Sequence, residues 1–206
     1  RLAPWQRMTR RALLTAVTVV ASLLYAAQSS AEEPSVYGQY AVSGGYGAPV
    51  MKASTLAGEG ILLVGGEAGW VLAHSVFVGG GGYGSVTSVV SPPSLQSTAG
   101  DARLGLGYGG LRMGGIIGNE LPLHGSFALL LGGGSAWTEN RDLSYHRSET
   151  FLVIEPQVEA EANLGRHVRF ALGGGYRLIG NTEAPGFTPR RLGGPVGTLT
   201  LRVGEF

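Results

Sequence analysis

Residues 152–164 read Leu152-Val153-Ile154-Glu155-Pro156-Gln157-Val158-Glu159-Ala160-Glu161-Ala162-Asn163-Leu164. The even positions are Leu152, Ile154, Pro156, Val158, Ala160, Ala162 and Leu164. The odd positions from 155 onward are Glu155, Gln157, Glu159, Glu161 and Asn163. Strand side chains alternate between two faces, whereas helical apolar positions recur every three or four. The stretch therefore predicts a β-strand with one apolar face and one acidic face. Pro156 cannot donate to a ladder, so a bulge or local break is expected there.

The next stretch repeats the design with opposite charge. Val168, Phe170, Leu172, Gly174, Tyr176 and Leu178 share one face, while Arg169 and Arg177 share the other with Ala171, Gly173 and Gly175. Gly165-Arg166 joins the two stretches as a tight turn. Elsewhere, Leu62, Val64, Gly66, Ala68, Trp70 and Leu72 oppose Glu67, and Leu199, Leu201 and Val203 oppose Thr198, Thr200 and Arg202.

Working outward gives eight strand-length segments, at approximately Gly44–Thr55, Gly58–Leu72, Ser75–Val89, Ala102–Ile116, His124–Trp137, Thr150–Leu164, His167–Ile179 and Gly194–Val203. Their connections alternate in length for much of the chain. Ala73-His74, Gly118–Leu123 and Gly165-Arg166 are short or moderate. Ser91–Asp101, Glu139–Glu149 and Asn181–Gly193 are longer and more polar. Short turns on one side and long loops on the other are the pattern of outer-membrane barrels. The hairpin near Ala57-Gly58 breaks this rule, because it belongs to the long-loop side yet is short.

The N-terminal part reads differently. Arg10 and Arg11 precede an apolar run, Ala12–Ala27, followed by Gln28-Ser29-Ser30-Ala31. That order is the one found in a secretory signal. Residues 1–31 are assigned as a signal peptide with an N-terminal extension, 32–43 as a short segment and 44–206 as the barrel domain. The apolar run falls short of the ~20 residues of a spanning helix. A membrane route for the mature chain is therefore a closed barrel, in which every backbone polar group is paired.

Composition narrows the function. The chain has no cysteine and a net charge of +1. No basic cluster offers the phosphate-neutralising surface of a nucleic-acid binder. Charged residues are 14% of the chain, against ~25% in ordinary soluble domains. Glycine is the outlier at 36 of 206 residues, more than double the usual ~7%. The glycines sit inside apolar segments, where backbone must bend or pack closely.

Two barrels fit the alternation. A soluble lipocalin-like barrel points the apolar face inward at a ligand; a membrane barrel points it at lipid. The export signal, the low charge and the glycine-rich polar face favour the membrane barrel. Glu67, Glu155, Glu159, Glu161, Arg103, Arg169, Arg177 and Arg202 are then expected to face the lumen, four carboxylates against four guanidiniums. A buried charge without a partner is costly, so near-balance is what a filled lumen requires. Reversal of Glu159 to lysine is expected to impair folding, with rescue from a reversal at Arg169 or Arg177.

At this point the residues carry a resemblance. Gly65-Gly66-Glu67-Ala68-Gly69-Trp70 followed by Gly79–Gly84, then Gly107-Tyr108-Gly109-Gly110-Leu111, Ile154-Glu155-Pro156 and Gly174-Gly175-Tyr176-Arg177, resemble the glycine-rich hairpins of small outer-membrane barrels of the OmpA transmembrane-domain and OmpX kind. The resemblance implies an all-β, antiparallel, up-and-down transmembrane barrel of about eight strands. It also implies outer-membrane lipid as surroundings, the barrel-assembly machinery as a biogenesis partner, and a monomer. One departure concerns Phe206. Its parity carries Gly204, Arg202 and Thr200, not the apolar set that a terminal aromatic assembly signal normally joins.

Chemistry is sparse. Gly79–Gly84 lacks the following helix of a dinucleotide site. His74, His124, His146 and His167 show no metal-ligand spacing. No cofactor is expected. His146 with Ser144 or Ser148 is the material for a membrane-embedded lipid-modifying enzyme, the alternative to a non-enzymatic barrel. Ligand binding is expected at the outer loops Ser91–Asp101, Asp142–Glu149 and Asn181–Arg191.

Overall fold

The chain divides into two units, Arg1–Gln39 and Tyr40–Phe206. The computed structural model describes residues 44–90, 102–118, 120–140, 146–180, 182 and 187–206. The signal peptide expected at 1–31, the segment at 32–43 and the loop Ser91–Asp101 lie outside these. So do residues 142–145, 181 and 183–186 of the other two outer loops.

Among the described residues nine strands form, β1 (Gly44–Leu56), β2 (Glu59–Leu72), β3 (Val76–Ser85), β4 (Val89–Val90), β5 (Ala102–Ile117), β6 (Leu123–Asn140), β7 (His146–Asn163), β8 (Val168–Gly180) and β9 (Gly194–Gly204), with one helical turn at Pro189–Leu192. All pairing is antiparallel. β1 pairs with both β2 and β9, and β3 pairs with β5, so eight strands close into a barrel. The short β4 lies beside the start of β5.

The expected third segment is broken. It stops after Ser85 and resumes at Val89. Side chains satisfy the interrupted ladder: the Thr87 hydroxyl accepts from Leu62 N at 2.8 Å, and Ser85 Oγ accepts from Leu106 N at 3.1 Å. The β6–β7 hairpin runs longer than expected, to 18 residues in each strand. Pro156 produces no bulge. Pairing with β8 lapses between Ile154↔Leu178 and Gln157↔Gly175 and then resumes in the same register.

The Ala57-Gly58 hairpin is tight because both residues adopt positive φ, at 54° and 90°. That is the backbone twist a two-residue hairpin needs. The barrel wall explains the glycine content. Gly110 faces Gly132 across β5–β6, and both lie on the inner side. A Cβ on Gly132 would sit 2.6 Å from the Gly110 Cα. A narrow barrel brings its inner backbone surfaces together, and side chains do not fit between them.

The polarity of the wall is inverted relative to a soluble domain. Val158 is 67% exposed, Leu172 60% and Trp70 60%, whereas Glu155 is wholly buried. Along β7 from Phe151 to Glu161 the buried positions are Phe151, Val153, Glu155, Gln157, Glu159 and Glu161, and the exposed ones are the apolar even positions between them.

Candidate functional site

The interior has two levels. Toward the long-loop end, beside the Ala57-Gly58 hairpin, it is apolar, with Leu56, Leu63, Leu104, Leu106, Phe151 and Val153 all buried. Toward the end where β1 begins and β9 finishes it is ionic, and β7 organises it. A period of two places Glu155, Glu159 and Glu161 in one column, and the remaining strands supply the partners.

Glu155 accepts from Lys52 Nζ at 2.6 Å, from Tyr108 Oη at 2.6 Å and from Gln157 Nε2. Lys52 also lies 3.3 Å from the centroid of the Tyr83 ring, a cation–π contact in a desolvated setting. Tyr83 Oη donates to Glu67 at 2.6 Å, and Glu67 faces Arg112 Nε at 3.3 Å. Arg112 reaches Glu159 at 3.0 Å. Glu159 is also paired with Arg202 and accepts from Ser126 Oγ at 3.4 Å. Arg202 continues to Glu161 at 2.7 Å, and Glu161 lies 3.5 Å from His124 Nε2.

Taking such ions from water costs several kcal/mol each. The cost is offset here because each carboxylate has at least one guanidinium or ammonium partner, and short charge-assisted bonds are the strongest kind. Tyr108→Phe removes one donor from buried Glu155 while preserving the ring. We expect a loss of about 1.5–3 kcal/mol, read as a lower urea midpoint at unchanged slope. An unchanged midpoint would mean that Glu155 is satisfied without it.

The four expected carboxylates, Glu67, Glu155, Glu159 and Glu161, are buried, as are Arg169, Arg177 and Arg202. They do not all meet one another. Arg202 joins the ionic level. Arg169 stacks against the Phe206 ring, 4.0 Å from its centroid. Arg177 donates to the main-chain oxygens of Leu192 at 2.8 Å and Thr55 at 2.9 Å.

Arg103 is a correction. It is exposed and donates to Ser88 Oγ at 3.4 Å. β5 turns its even positions inward, so Arg112 occupies the interior and Arg103 the outside. Arg103→Ala is therefore expected to change the urea midpoint by less than about 0.5 kcal/mol equivalent. A loss of several kcal/mol would place it back among the interior charges.

Lys52 and Arg112 were not among the expected residues. The alternation Leu111-Arg112-Met113 carried the signal for Arg112, but Leu104 and Leu106 share its parity and made that face read as apolar. Phe206 is also explained. Its ring centroid lies 6.3 Å from that of Tyr46, so the terminal aromatic turns toward the mouth of the barrel. A cavity of ≈ 10 Å³ there is lined by Tyr46, Phe77, Glu161, Arg169 and Phe206 among others, room for about one water.

His146 falls at the start of β7, paired through its backbone with Glu139. Its side chain and Ser144 lie outside the described residues, and Ser148 is exposed.

A closed eight-strand barrel has solved counterparts. The N-terminal β-barrel domain of Pseudomonas aeruginosa OprF superposes with a TM-score of 0.56 at 11% identity, over 80% of this chain and 98% of that one. The fold is that of the small outer-membrane barrels. Neisserial surface protein A gives 0.53 at 11% identity, over 78% and 95%. The Yersinia pestis attachment invasion locus protein Ail, solved with the heparin analogue sucrose octasulfate, gives 0.51 at 10% identity, over 81% and 99%. No protein-family model and no curated protein matches the sequence.

Proposed function

We propose that this protein is a monomeric, non-enzymatic outer-membrane β-barrel with a structural, adhesive or envelope-protecting role. The observation that carries the reading is the inverted polarity of the wall. Exposed Val158, Leu172, Trp70 and Phe127 suit hydrocarbon, whereas a soluble barrel bearing this surface would aggregate. The ionic level suits a lumen closed by Glu–Arg and Glu–Lys pairs, because eight-strand barrels leave space that side chains can fill. Transport is then not its task. Ligand or surface recognition belongs to the loops between β3 and β5, β6 and β7, and β8 and β9. Outer-membrane lipid and the barrel-assembly machinery are its general partners.

Fractionation tests the location. The protein should sediment with the outer membrane on a density gradient and stay there after carbonate washing. Recovery in the soluble periplasm would refute the proposal.

A further inference from the structure

Two residues between β8 and β9, Phe187 and Leu192, contribute side chains to the barrel core although they lie outside every strand. Phe187 is 2% exposed and Leu192 1%. Both belong to the apolar cluster with Leu56, Leu63, Leu104 and Leu106. The segment is compacted by one helical turn, in which Thr188 O accepts from Arg191 N at 2.9 Å and Leu192 N at 3.1 Å. It is also tied to the short hairpin on the same side, since Ala57 N donates to Arg191 O at 2.7 Å.

Arg177 ties this segment to the wall. Its side chain is fully buried, with Nε on Leu192 O and Nη2 on Thr55 O. One guanidinium therefore holds a carbonyl of the connection and a carbonyl at the end of β1. Arginine suits that task because its rigid fork presents several donors at once.

We propose that Phe187–Gly193 is a latched plug. It seals the long-loop mouth of the barrel with Phe187 and Leu192, Arg177 holds it shut, and it opens as a unit without unfolding the wall. The seal itself is apolar, and Arg177 stands between it and the ionic level, 5.5 Å from the centroid of the Tyr108 ring. The segment joins no strand ladder, whereas each of the eight wall strands is held by ladders on both sides, so opening belongs to the low-stability end of the molecule. The proposal rests on the reading of the lumen as closed.

The chain has no cysteine, so a single Leu106→Cys reports on the apolar level below the plug. In the otherwise unmodified chain, a water-soluble charged thiol reagent added to detergent-solubilised protein should react slowly. With Arg177→Met or Leu192→Ser added, it should react at least about tenfold faster. Leu192 lies outside the strands, so its substitution leaves the wall ladder intact, and heat-modifiable gel migration verifies folding of each variant. Slow reaction in folded forms of both variants would overturn the plug alone. Fast reaction in the unmodified background would overturn the closed lumen as well. Hydrogen exchange on the unsubstituted protein gives a second reading. The amides of Ala57, Leu192 and Gly193 should exchange together and at least about tenfold faster than the paired amides of β7. Exchange at the rate of β7 would mean that the segment opens only when the barrel unfolds.

Discussion

Glu159→Lys is expected to remove most of the folded, heat-modifiable band. Glu159 bridges Arg112 on β5 and Arg202 on β9, so reversal places a third cation between two buried guanidiniums. Breaking a buried pair costs about 3–5 kcal/mol before any repulsion is added. A barrel of ordinary stability, about 5–15 kcal/mol, survives that poorly. Glu159→Gln should be milder, because the amide still accepts from one partner. Rescue should come from Arg202→Glu in the Glu159→Lys background. Arg169 and Arg177, which the sequence alone nominated for rescue, should fail, since neither is among the guanidiniums on Glu159. Wild-type folding of the single reversal would mean that the Glu159 side chain reaches water.

The second large effect concerns backbone. Gly132→Ala should lower stability by about 3 kcal/mol or more, at the upper end of overpacking costs. Its Cβ would press on the Gly109 carbonyl oxygen and the Gly110 Cα. These are main-chain atoms locked in a ladder, so they cannot swing aside as a side chain would. Gly82→Ala is the control. Gly82 points outward with nothing within 4 Å of its added Cβ, and the change should stay within about 0.5 kcal/mol. Refolding yield and urea midpoints in detergent read both variants. Equal effects at the two sites would show that glycine serves general flexibility and not wall curvature.

Much of this architecture was legible because β7 and β8 alternate cleanly. A period of two states both the strand and its faces, and Glu159 and Arg202 follow from it. β5 was harder. Gly105, Gly107, Gly109 and Gly110 erase the alternation, and the apolar lining near the long-loop mouth makes the inner face of Leu104 and Leu106 look like an outer one. Arg103 was therefore placed inside and Arg112 overlooked. Lys52 was missed for a related reason, because Val50 and Leu56 share its face and are equally buried. Nor does local sequence carry the positions of Phe187 and Leu192. A connection entering the core is fixed by barrel closure and by a hydrogen bond from Arg177, not by any period.

The central claim is a barrel wall whose apolar face meets lipid and whose ionic face meets neither lipid nor bulk water. A nitroxide scan across Leu152–Glu161 in reconstituted protein tests it directly. Labels at even positions should collide with dissolved oxygen and not with a water-soluble nickel chelate, while labels at odd positions should meet neither freely. Even positions reached by the chelate would contradict the membrane wall, and odd positions reached by it would contradict the closed interior.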